Sequence, residues 1–410
     1  MKKYKTYRLT LRGSNLRKVM SIHKILFACS ILSFLFVMNS CTEEYWPDLG
    51  EKYDELLVVE GMITSAPGPY SVKLSQSTSI RYPREIPLTG YEVIISDNAG
   101  NSETLSETEE GTYMTAPNGI QGKVGRLYKL TIHDPGGNTY ESDFEEMTSP
   151  VAIDTLYTLV EYQENENFSF AIPGYRFYIS SKPAGADTAY LRWQLDQTYK
   201  YEVDFMIFFY YDGELHEFPE PDSLQICWIT SPVYSIYTAT TAGLSSQQIT
   251  DYPLHYVSFA SRLISIRYSL LIKQMNLSKS AYDYWIAVNE QNTSGDQLFT
   301  KLPFQIQGNI HNTTDENEPV LGYFQVCGID IKRIYFNRPQ PPYEMYYPIC
   351  ELTQPDYEEY GWMFRTNDWR EWPKYVTVDN NGARAVPNIL CIDCRETGGT
   401  IVKPEFWTDE

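Results

Sequence analysis

The chain has 410 residues, with 33 lysines and arginines against 53 aspartates and glutamates, and a formal net charge of −20 at pH 7. A nucleic-acid-binding protein needs a basic face that displaces phosphate counterions, so this composition argues against that class. It also disfavours docking onto anionic lipid by charge alone. Hydrophobic residues at 42% are too abundant for a disordered chain, and aromatic residues at 15% favour strands over helices.

The charge is divided unevenly along the chain. Residues 1–40 contain eight of the 33 basic residues and no acid. Residues 41–410 therefore hold 25 basic residues against 53 acids, a net charge of −28. The basic N-terminus and the acidic remainder are expected to have different roles.

The N-terminus has the pattern of an export signal. Lys24 precedes an apolar run of 14 residues, Ile25–Met38. This length is typical of a signal peptide, because a membrane-spanning helix needs about 20 apolar residues. We therefore predict that residues 1–40 are a signal peptide, with Met20 as an alternative start. No later stretch approaches about 18 apolar residues, so we expect no transmembrane helix.

The end of the apolar run predicts a lipid anchor. Its sequence Met38-Asn39-Ser40-Cys41 has the layout of a bacterial lipoprotein cleavage site, and several acyl chains at Cys41 would anchor the protein stably. Residues 41–54 are then a lipidated tether. The acidic pair Glu43 and Glu44 resembles the signal that sends lipoproteins of Bacteroidota to the outer leaflet of the outer membrane, which predicts a location facing the cell exterior. The alternative is a plain secretory signal with a coincidental cysteine.

Residues 55–150 alternate between strand and turn patterns. Turn sequences such as Ala66-Pro67-Gly68-Pro69 and Asp134-Pro135-Gly136-Gly137 separate apolar or alternating runs. About six short strands with frequent turns predict a small antiparallel sandwich, Ig-like or transthyretin-like. The expected strands lie at Leu56–Ile63, Tyr70–Leu74, Tyr91–Ile95, Gly111–Met114, Tyr128–Ile132 and Thr139–Ser142.

Residues 151–410 are predicted to form a larger β-rich domain with one packed helix, so that the fold class is all-β. Alternation in Tyr190–Leu195 places Leu191, Trp193 and Leu195 on one face of a strand. Ser278 is the expected N-cap of a helix over Lys279–Asn289, whose Trp285 either packs on a sheet or serves as a ligand platform. Further strands are expected at Phe168–Ile172, Tyr175–Ser180, Tyr199–Phe205, Ile207–Tyr211 and Arg262–Ile272, and loops at Pro339–Pro342 and Pro355–Asn381.

Residues 41–410 lack the usual catalytic motifs. Their four histidines show no metal-ligand spacing, and there is no His-Glu-x-x-His, Gly-x-Ser-x-Gly, Ser-x-x-Lys or glycine-rich phosphate loop. We therefore predict a non-enzymatic protein without metal or cofactor. The abundant carboxylates leave a glycan or peptide hydrolase open as an alternative, because a glycosidase pair is defined by its separation in space.

Five cysteines remain after Cys29 of the signal and Cys41 of the anchor. Disulfides persist outside the inner membrane, which favours structural bonds. The Cys-x-x-Cys pair at the C-terminus could instead act in redox chemistry or bind zinc, but it has neither a βαβ context nor a second close pair. We predict disulfides that tie the C-terminal segment to the body, with open connectivity, among Cys227, Cys350, Cys391 and Cys394. Cys327, in an apolar run, is expected to be a free, buried thiol.

Aromatic residues concentrate in the segment Asp356–Tyr375. Rings in a long surface loop can stack on a ligand or enter a cavity of a partner. The alternative is a satellite core beneath the loop. The candidate contact residues for a ligand or partner are Tyr360, Trp362, Trp369 and Trp372.

Several short stretches resemble the landmarks of one family: Val59-Glu60-Gly61, Gly111-Thr112-Tyr113, Tyr128–Ile132, Cys227-Trp228, Gln274–Ser278, Ala281–Trp285, Gly308-Asn309-Ile310, Val320–Phe324, and Cys391-Ile392-Asp393-Cys394 followed by Lys403–Trp407. The family is an outer-membrane lipoprotein family of Bacteroidota, domain of unknown function 4249. The resemblance spans nearly all of residues 41–410, although Cys327 and the tryptophan-rich loop depart from the family pattern. Its members are typically encoded beside a TonB-dependent outer-membrane receptor, so the resemblance implies that receptor as a partner. It implies no catalytic residues.

These observations predict a surface lipoprotein that acts as a non-enzymatic accessory or ligand-capture subunit of a TonB-dependent nutrient uptake system. A surface adhesin or structural module without a transport role is the main alternative. The sequence does not indicate which ligand is involved.

Overall fold

Antiparallel strands dominate the part of the chain that the computed structural model describes, namely residues 55–78, 84–184, 188–294, 306–352 and 361–409. The predicted all-β class with one packed helix is confirmed, since strands dominate these ranges and α1 (Lys279–Ser294) is the one long helix in them. The predicted residues Cys41, Glu43, Glu44 and Tyr360 lie outside them. The strands are β1 (Leu57–Thr64), β2 (Ser71–Gln76), β3 (Ile86–Pro87), β4 (Glu92–Asp97), β5 (Ser102–Thr104), β6 (Ser106–Glu109), β7 (Thr112–Met114), β8 (Leu127–His133), β9 (Thr139–Ser142), β10 (Glu145–Glu146), β11 (Ile153–Gln163), β12 (Ile172–Ser181), β13 (Tyr190–Glu202), β14 (Phe209–Tyr211), β15 (Leu215–Glu217), β16 (Ile226–Thr240), β17 (Ile249–Ser258), β18 (Arg267–Asn276), β19 (Ile310–Asn312), β20 (Leu321–Asn337), β21 (Tyr375–Val378) and β22 (Arg384–Ala385).

The N-terminal strands form a sandwich. β1, β2 and β7 belong to one sheet, and β4, β8 and β9 belong to a second sheet. Side chains alternate in β8, so that Tyr128, Leu130 and Ile132 are buried while their neighbours are only half-buried. These residues share one apolar core with Val59 and Val72 of the other sheet. Burial of alternate side chains between two sheets is what stabilises such a sandwich.

Strands from later in the chain complete both sheets of the sandwich. β20 pairs in parallel with β1, from Leu321 opposite Val58 to Cys327 opposite Thr64. β19 pairs with β9 in the second sheet. Strand pairing therefore joins residues on both sides of the predicted division at residue 150, and that division stays a prediction.

Strand β20 can approach β1 closely only because it has a glycine near its N-terminal end. Gly322 has a φ of +95°, a conformation that other residues rarely adopt, and it faces Val59 in the strand pair. A Cβ at this position would lie 2.0 Å from the carbonyl oxygen of Val59. Any other residue would push the two strands apart.

The large sheet continues away from the sandwich in the order β1, β20, β18, β13 and β16. As predicted, Leu191, Trp193 and Leu195 of β13 are buried on one face. They pack against β12 and β17 in a second core, which includes Phe177 and Val257. A separate small sheet contains β14, β15, β21 and β22.

Helix α1 packs on the opposite face of the large sheet. Its predicted N-cap is present, because the backbone N–H of Ala281 donates to Ser278 Oγ at 3.1 Å. Trp285 is a packing residue: its indole Nε1 donates to Gln325 Oε1 of β20 at 2.9 Å. The guanidinium of Arg192, from β13, lies 3.6 Å from the centre of the same ring.

Three predicted elements differ from the structure. Residues 168–171 are not part of a strand, because Phe168 and Phe170 turn away to pack edge-on against Tyr346, and β12 begins only at Ile172. The strand expected from Arg262 begins only at Arg267, after a short 3₁₀ turn. The expected loop Pro355–Asn381 contains a strand, because β21 pairs with β14 and buries Val376.

Candidate functional site

Two disulfides join the C-terminal segment to the body. Cys227 of β16 is bonded to Cys394, and Cys350 is bonded to Cys391. The predicted set of four bonded cysteines is confirmed, and the structure supplies the connectivity. Cys327 is free and buried, and burial raises the pKa of its thiol to about 12, so it is inert at neutral pH.

The Cys-x-x-Cys pair is therefore neither a redox pair nor half of a metal site in this structure. Its two cysteines bond to different partners. Among the residues that the structure describes, no group of three or more histidine, cysteine, aspartate or glutamate side chains is placed to hold a metal ion. None of the helices in these ranges is both long and apolar enough to cross a membrane.

The predicted tryptophans separate into exposed and packed residues. Trp362 is 50% exposed and Trp369 is 72% exposed. Trp372 instead packs its ring edge-on against Tyr211, with the centres 5.3 Å apart, and its indole Nε1 donates to the carbonyl oxygen of Thr366 at 2.7 Å. We call Trp362 and Trp369 the exposed tryptophan pair. Of the predicted contact residues in the described ranges, only these two can meet a partner without unpacking.

A short 3₁₀ turn presents Trp369 to solvent. The turn, Trp369–Glu371, begins after Asp368, whose carboxylate accepts from the backbone N–H of Arg370 at 3.1 Å. The Arg370 guanidinium also donates to the same carboxylate, and these hydrogen bonds lower the pKa of Asp368. The turn thus holds a large apolar ring in water on a backbone fixed by hydrogen bonds, an arrangement suited to contact with another surface.

The three tryptophans lie in residues 361–375, which we call the tryptophan loop. The base of this loop is fixed to the small sheet. Phe364 packs edge-on against Tyr211 of β14, with ring centres 4.9 Å apart, and its carbonyl oxygen accepts from the Tyr211 hydroxyl at 2.8 Å. The predicted satellite core is therefore present too, formed by Phe364 and Trp372. The contact role of Trp362 and Trp369 stays a prediction, since the structure shows only that their rings are exposed.

A cleft of about 600 Å³ lies beside helix α1 and was not predicted from the sequence. Such a volume is within the usual range of small-molecule sites. Its walls come from the segment around β10, from α1, from the residues before β19 and from β20. The lining includes Asp143, Glu145, Asp283, Tyr284, Asn309 and Tyr323.

Glu145 is the most buried acid of this cleft, with 6% of the residue exposed. Its Oε1 accepts from the hydroxyls of Ser278 at 3.2 Å and Ser280 at 3.1 Å, and also from the Tyr323 hydroxyl. Burial raises the pKa of Glu145, although these hydroxyl donors act in the opposite direction. The other oxygen, Oε2, is closed to solvent, and the backbone N–H of Val326 also acts to lower the pKa of this carboxyl. No sequence motif signals this site, because its acids and hydroxyls come from separate segments.

Comparison with known proteins gives one family. The model of a family described as Domain of unknown function (DUF4249) matches residues 42–333, which is more than half of the chain. No curated protein matches the chain.

Proposed function

This chain belongs to the family of domain of unknown function 4249, and from that premise we propose that it is a surface-exposed outer-membrane lipoprotein of the Bacteroidota type. In this proposal it is a non-enzymatic accessory or ligand-capture subunit of a TonB-dependent nutrient uptake system. The observation that carries the proposal is the exposed tryptophan pair, Trp362 and Trp369, on an otherwise acidic and folded body.

The N-terminal sequence supports the anchor. An apolar run of signal-peptide length ends at Met38, shortly before Cys41, and Glu43 and Glu44 lie just after that cysteine. Several acyl chains on Cys41 would hold the protein at a membrane. The net charge of −28 on residues 41–410 keeps the body in solution above an anionic surface, because like charges repel.

The exposed tryptophan pair supports a contact role. Two large rings at 50% and 72% exposure lose little conformational entropy on binding and gain much buried area. A receptor surface or a captured ligand would supply that burial. The disulfide between Cys350 and Cys391 links the two ends of the segment that contains both tryptophans. This segment therefore stays attached to the folded body.

A deletion strain tests the transport role. Loss of the gene should reduce growth or uptake on at least one nutrient, and the wild-type gene should restore it. A gene encoding Cys41→Ser should fail to restore uptake, because the variant lacks its lipid anchor, whereas Cys29→Ser, within the predicted signal peptide, is the matched control and should restore it. An adhesin or structural module predicts no uptake defect on any nutrient, so that result would favour the alternative.

The non-enzymatic part of the proposal has its own test. The purified protein should show no turnover with panels of glycans and peptides. Turnover that persists through a second purification step would replace the accessory role with a hydrolase.

A further inference from the structure

Strand β11 (Ile153–Gln163) has one long edge that no strand covers in the part of the chain that the structure describes. It is an end strand of a three-stranded sheet, in the order β11, β12 and β17. Its pairing with β12 is regular from Thr155 to Gln163, and a bulge at Asp154 ends this regular part. Every second residue of such a strand directs its N–H and C=O away from the first partner. We call residues 155–163 the open edge.

The other long end strands carry features that hinder pairing. β16 contains Pro232 and an irregular register with β13, and a backbone pairing of Trp228 with Thr400 covers its start. β17 contains Pro253 and two irregularities in its register with β12. Proline, bulges and lysine are the usual means by which natural proteins keep an edge strand from pairing. The open edge contains no proline, glycine, lysine or register shift, which is the pattern of an edge that takes up a further strand.

Apolar side chains along the open edge are incompletely covered. Leu159 is 51% exposed and Tyr162 is 63% exposed. Leu156 and Val160 are half-buried at the margin of the second core. A strand added beside β11 would cover these side chains further, and burial of their apolar surface would stabilise the association. The open edge therefore offers backbone hydrogen bonds together with apolar contact, as in recognition by β-strand addition.

The open edge is nearly neutral, although residues 41–410 have a net charge of −28. Its one acid is Glu161, whose Oε2 lies 3.2 Å from Nε of Arg176 in β12. The Tyr178 hydroxyl also donates to the Glu161 carboxylate. Charges elsewhere on the surface act weakly at this edge, because salt screens them over about 10 Å. Like charge therefore does not exclude a second copy of the chain from the open edge.

The open edge is complementary to itself. An antiparallel pair of two copies, related by a two-fold axis at Leu159, uses the whole of the open edge. The facing pairs are then Leu159 with Leu159, Thr158 with Val160, Tyr157 with Glu161, Leu156 with Tyr162, and Thr155 with Gln163. No two charges of the same sign face each other, and the exposed Leu159 and Tyr162 gain apolar neighbours. This complementarity favours a second copy over an unrelated strand.

We propose that two copies of this chain associate through β11, whose open edges pair antiparallel and join the two three-stranded sheets into one. Closed two-fold pairs of this kind are the commonest form of homo-oligomer. The inference goes beyond the proposed receptor partnership and does not rest on it. The association is measured on the purified protein without a receptor, so failure of one proposal is distinguishable from failure of the other.

Cysteine cross-linking tests the pairing and its register. The two-fold axis places residue 159 of one copy beside residue 159 of the other, so Leu159→Cys should form a disulfide-linked dimer. Diamide is the oxidant, and it takes up two electrons and two protons from the two thiols. Leu244→Cys, at a 43% exposed position between β16 and β17, is the matched control and should give no more dimer than the wild type. A Leu159→Cys variant that gives no more dimer than Leu244→Cys would overturn the proposal.

The native cysteines in the described ranges do not interfere with this test. Four of them are bonded in pairs, and the thiol of Cys327 is buried. The wild-type protein, treated with diamide in the same way, gives the baseline for any other thiol of the chain.

Mass measurement tests the association without a new bond. Light scattering during size-exclusion chromatography separates the mass of protein from that of bound detergent, and the full chain purified in detergent should contain dimers. Leu159→Lys sets two ammonium groups opposite each other and removes apolar contact, so we expect its dissociation constant to rise about tenfold or more. Leu244→Lys is the matched control and should associate as the wild type does. Equal association of the folded Leu159→Lys variant would place the contact elsewhere and overturn the proposal.

Two further outcomes decide what occupies the open edge. A wild-type protein that stays monomeric at high micromolar concentration would overturn the proposal. A monomeric wild type that recovers another protein from cells, when the folded Leu159→Lys variant does not, would assign the edge to a strand of that protein and also overturn it. If Leu159→Lys does not fold, the comparison of Leu159→Cys with Leu244→Cys decides.

Discussion

Cys227 is joined by a disulfide to Cys394, which lies 167 residues further along the chain. Both sulfurs are buried, and the bond fixes the C-terminal segment against β16 at the edge of the large sheet. The same segment is also held by a backbone pairing between Trp228 and Thr400. The C-terminus is therefore part of the folded body rather than a tail.

Removal of this disulfide should lower stability more than removal of the other. In the chain-entropy account, a bond that closes 167 residues contributes about 5 kcal/mol and one that closes 41 residues about 4 kcal/mol. Urea unfolding of Cys227→Ser/Cys394→Ser should therefore show the larger loss, with Cys350→Ser/Cys391→Ser as the matched control. An unchanged midpoint in the first variant would contradict the structural role of the bond.

Trp285 should stabilise the fold both through the packing of its ring and through its indole N–H. Trp285→Phe keeps a ring beside the Arg192 guanidinium but leaves the buried Gln325 Oε1 without its donor, so we expect a loss of about 1–2 kcal/mol. Trp285→Ala also removes the packing and should cost about 3–5 kcal/mol. Thermal unfolding measures both. Trp369→Phe, at an exposed site, is the control, and an equal loss there would argue against this account.

Stability should fall in acid because of Asp97. Burial alone would raise the pKa of Asp97, but hydrogen bonds from Asn101, Ala99 and Arg126 outweigh it and hold the pKa at about 2. Because the pKa is lowered, the charged carboxylate stabilises the fold at pH values above the ordinary aspartate pKa of about 3.9. This contribution is lost as pH falls from 4 towards 2. We expect about 1–2 kcal/mol, less than the full shift implies, because Arg126 is partly exposed to water.

Urea unfolding between pH 2 and pH 7 checks this prediction. The difference in unfolding free energy between the wild type and Asp97→Asn should shrink as pH falls below 4. A difference that stays constant over that range would show that Asp97 is not held in its charged form.

Local sequence patterns predicted the features that depend only on residues close together in the chain. Alternation identified the buried face of β13, including Trp193, and the serine cap identified the start of α1 at Lys279. Both follow from the geometry of a single strand or helix. The membership of the disulfide set was also predictable, because cysteines are few and the predicted export signal implies an oxidising environment.

Long-range pairing was not predictable in the same way. The parallel pairing of β1 with β20 brings Val59 beside Gly322, and no local pattern specifies which distant strand will meet another. The cleft around Glu145 depends on that pairing, since its walls come from segments far apart in the chain. The tryptophan loop was identified as aromatic, but which rings are exposed depends on Tyr211, which only the fold places beside Trp372.

The two kinds of tryptophan should respond differently to mutation. Trp369→Ala should leave the unfolding temperature nearly unchanged, because its ring is 72% exposed. Trp372→Ala should lower stability by about 2–4 kcal/mol, because it removes the packing against Tyr211 and the indole hydrogen bond. Differential scanning calorimetry distinguishes the two, and equal destabilisation would show that Trp369 is also packed.

Co-purification from detergent-solubilised outer membrane tests the central claim most directly. We expect the tagged wild-type protein to bring down a TonB-dependent barrel, identified by mass spectrometry. The folded Trp362→Ala/Trp369→Ala variant should recover less of it, and Trp228→Phe, in β16 rather than in the tryptophan loop, should recover as much as the wild type. A wild-type protein that is recovered alone, with no TonB-dependent barrel, would contradict the proposed partnership.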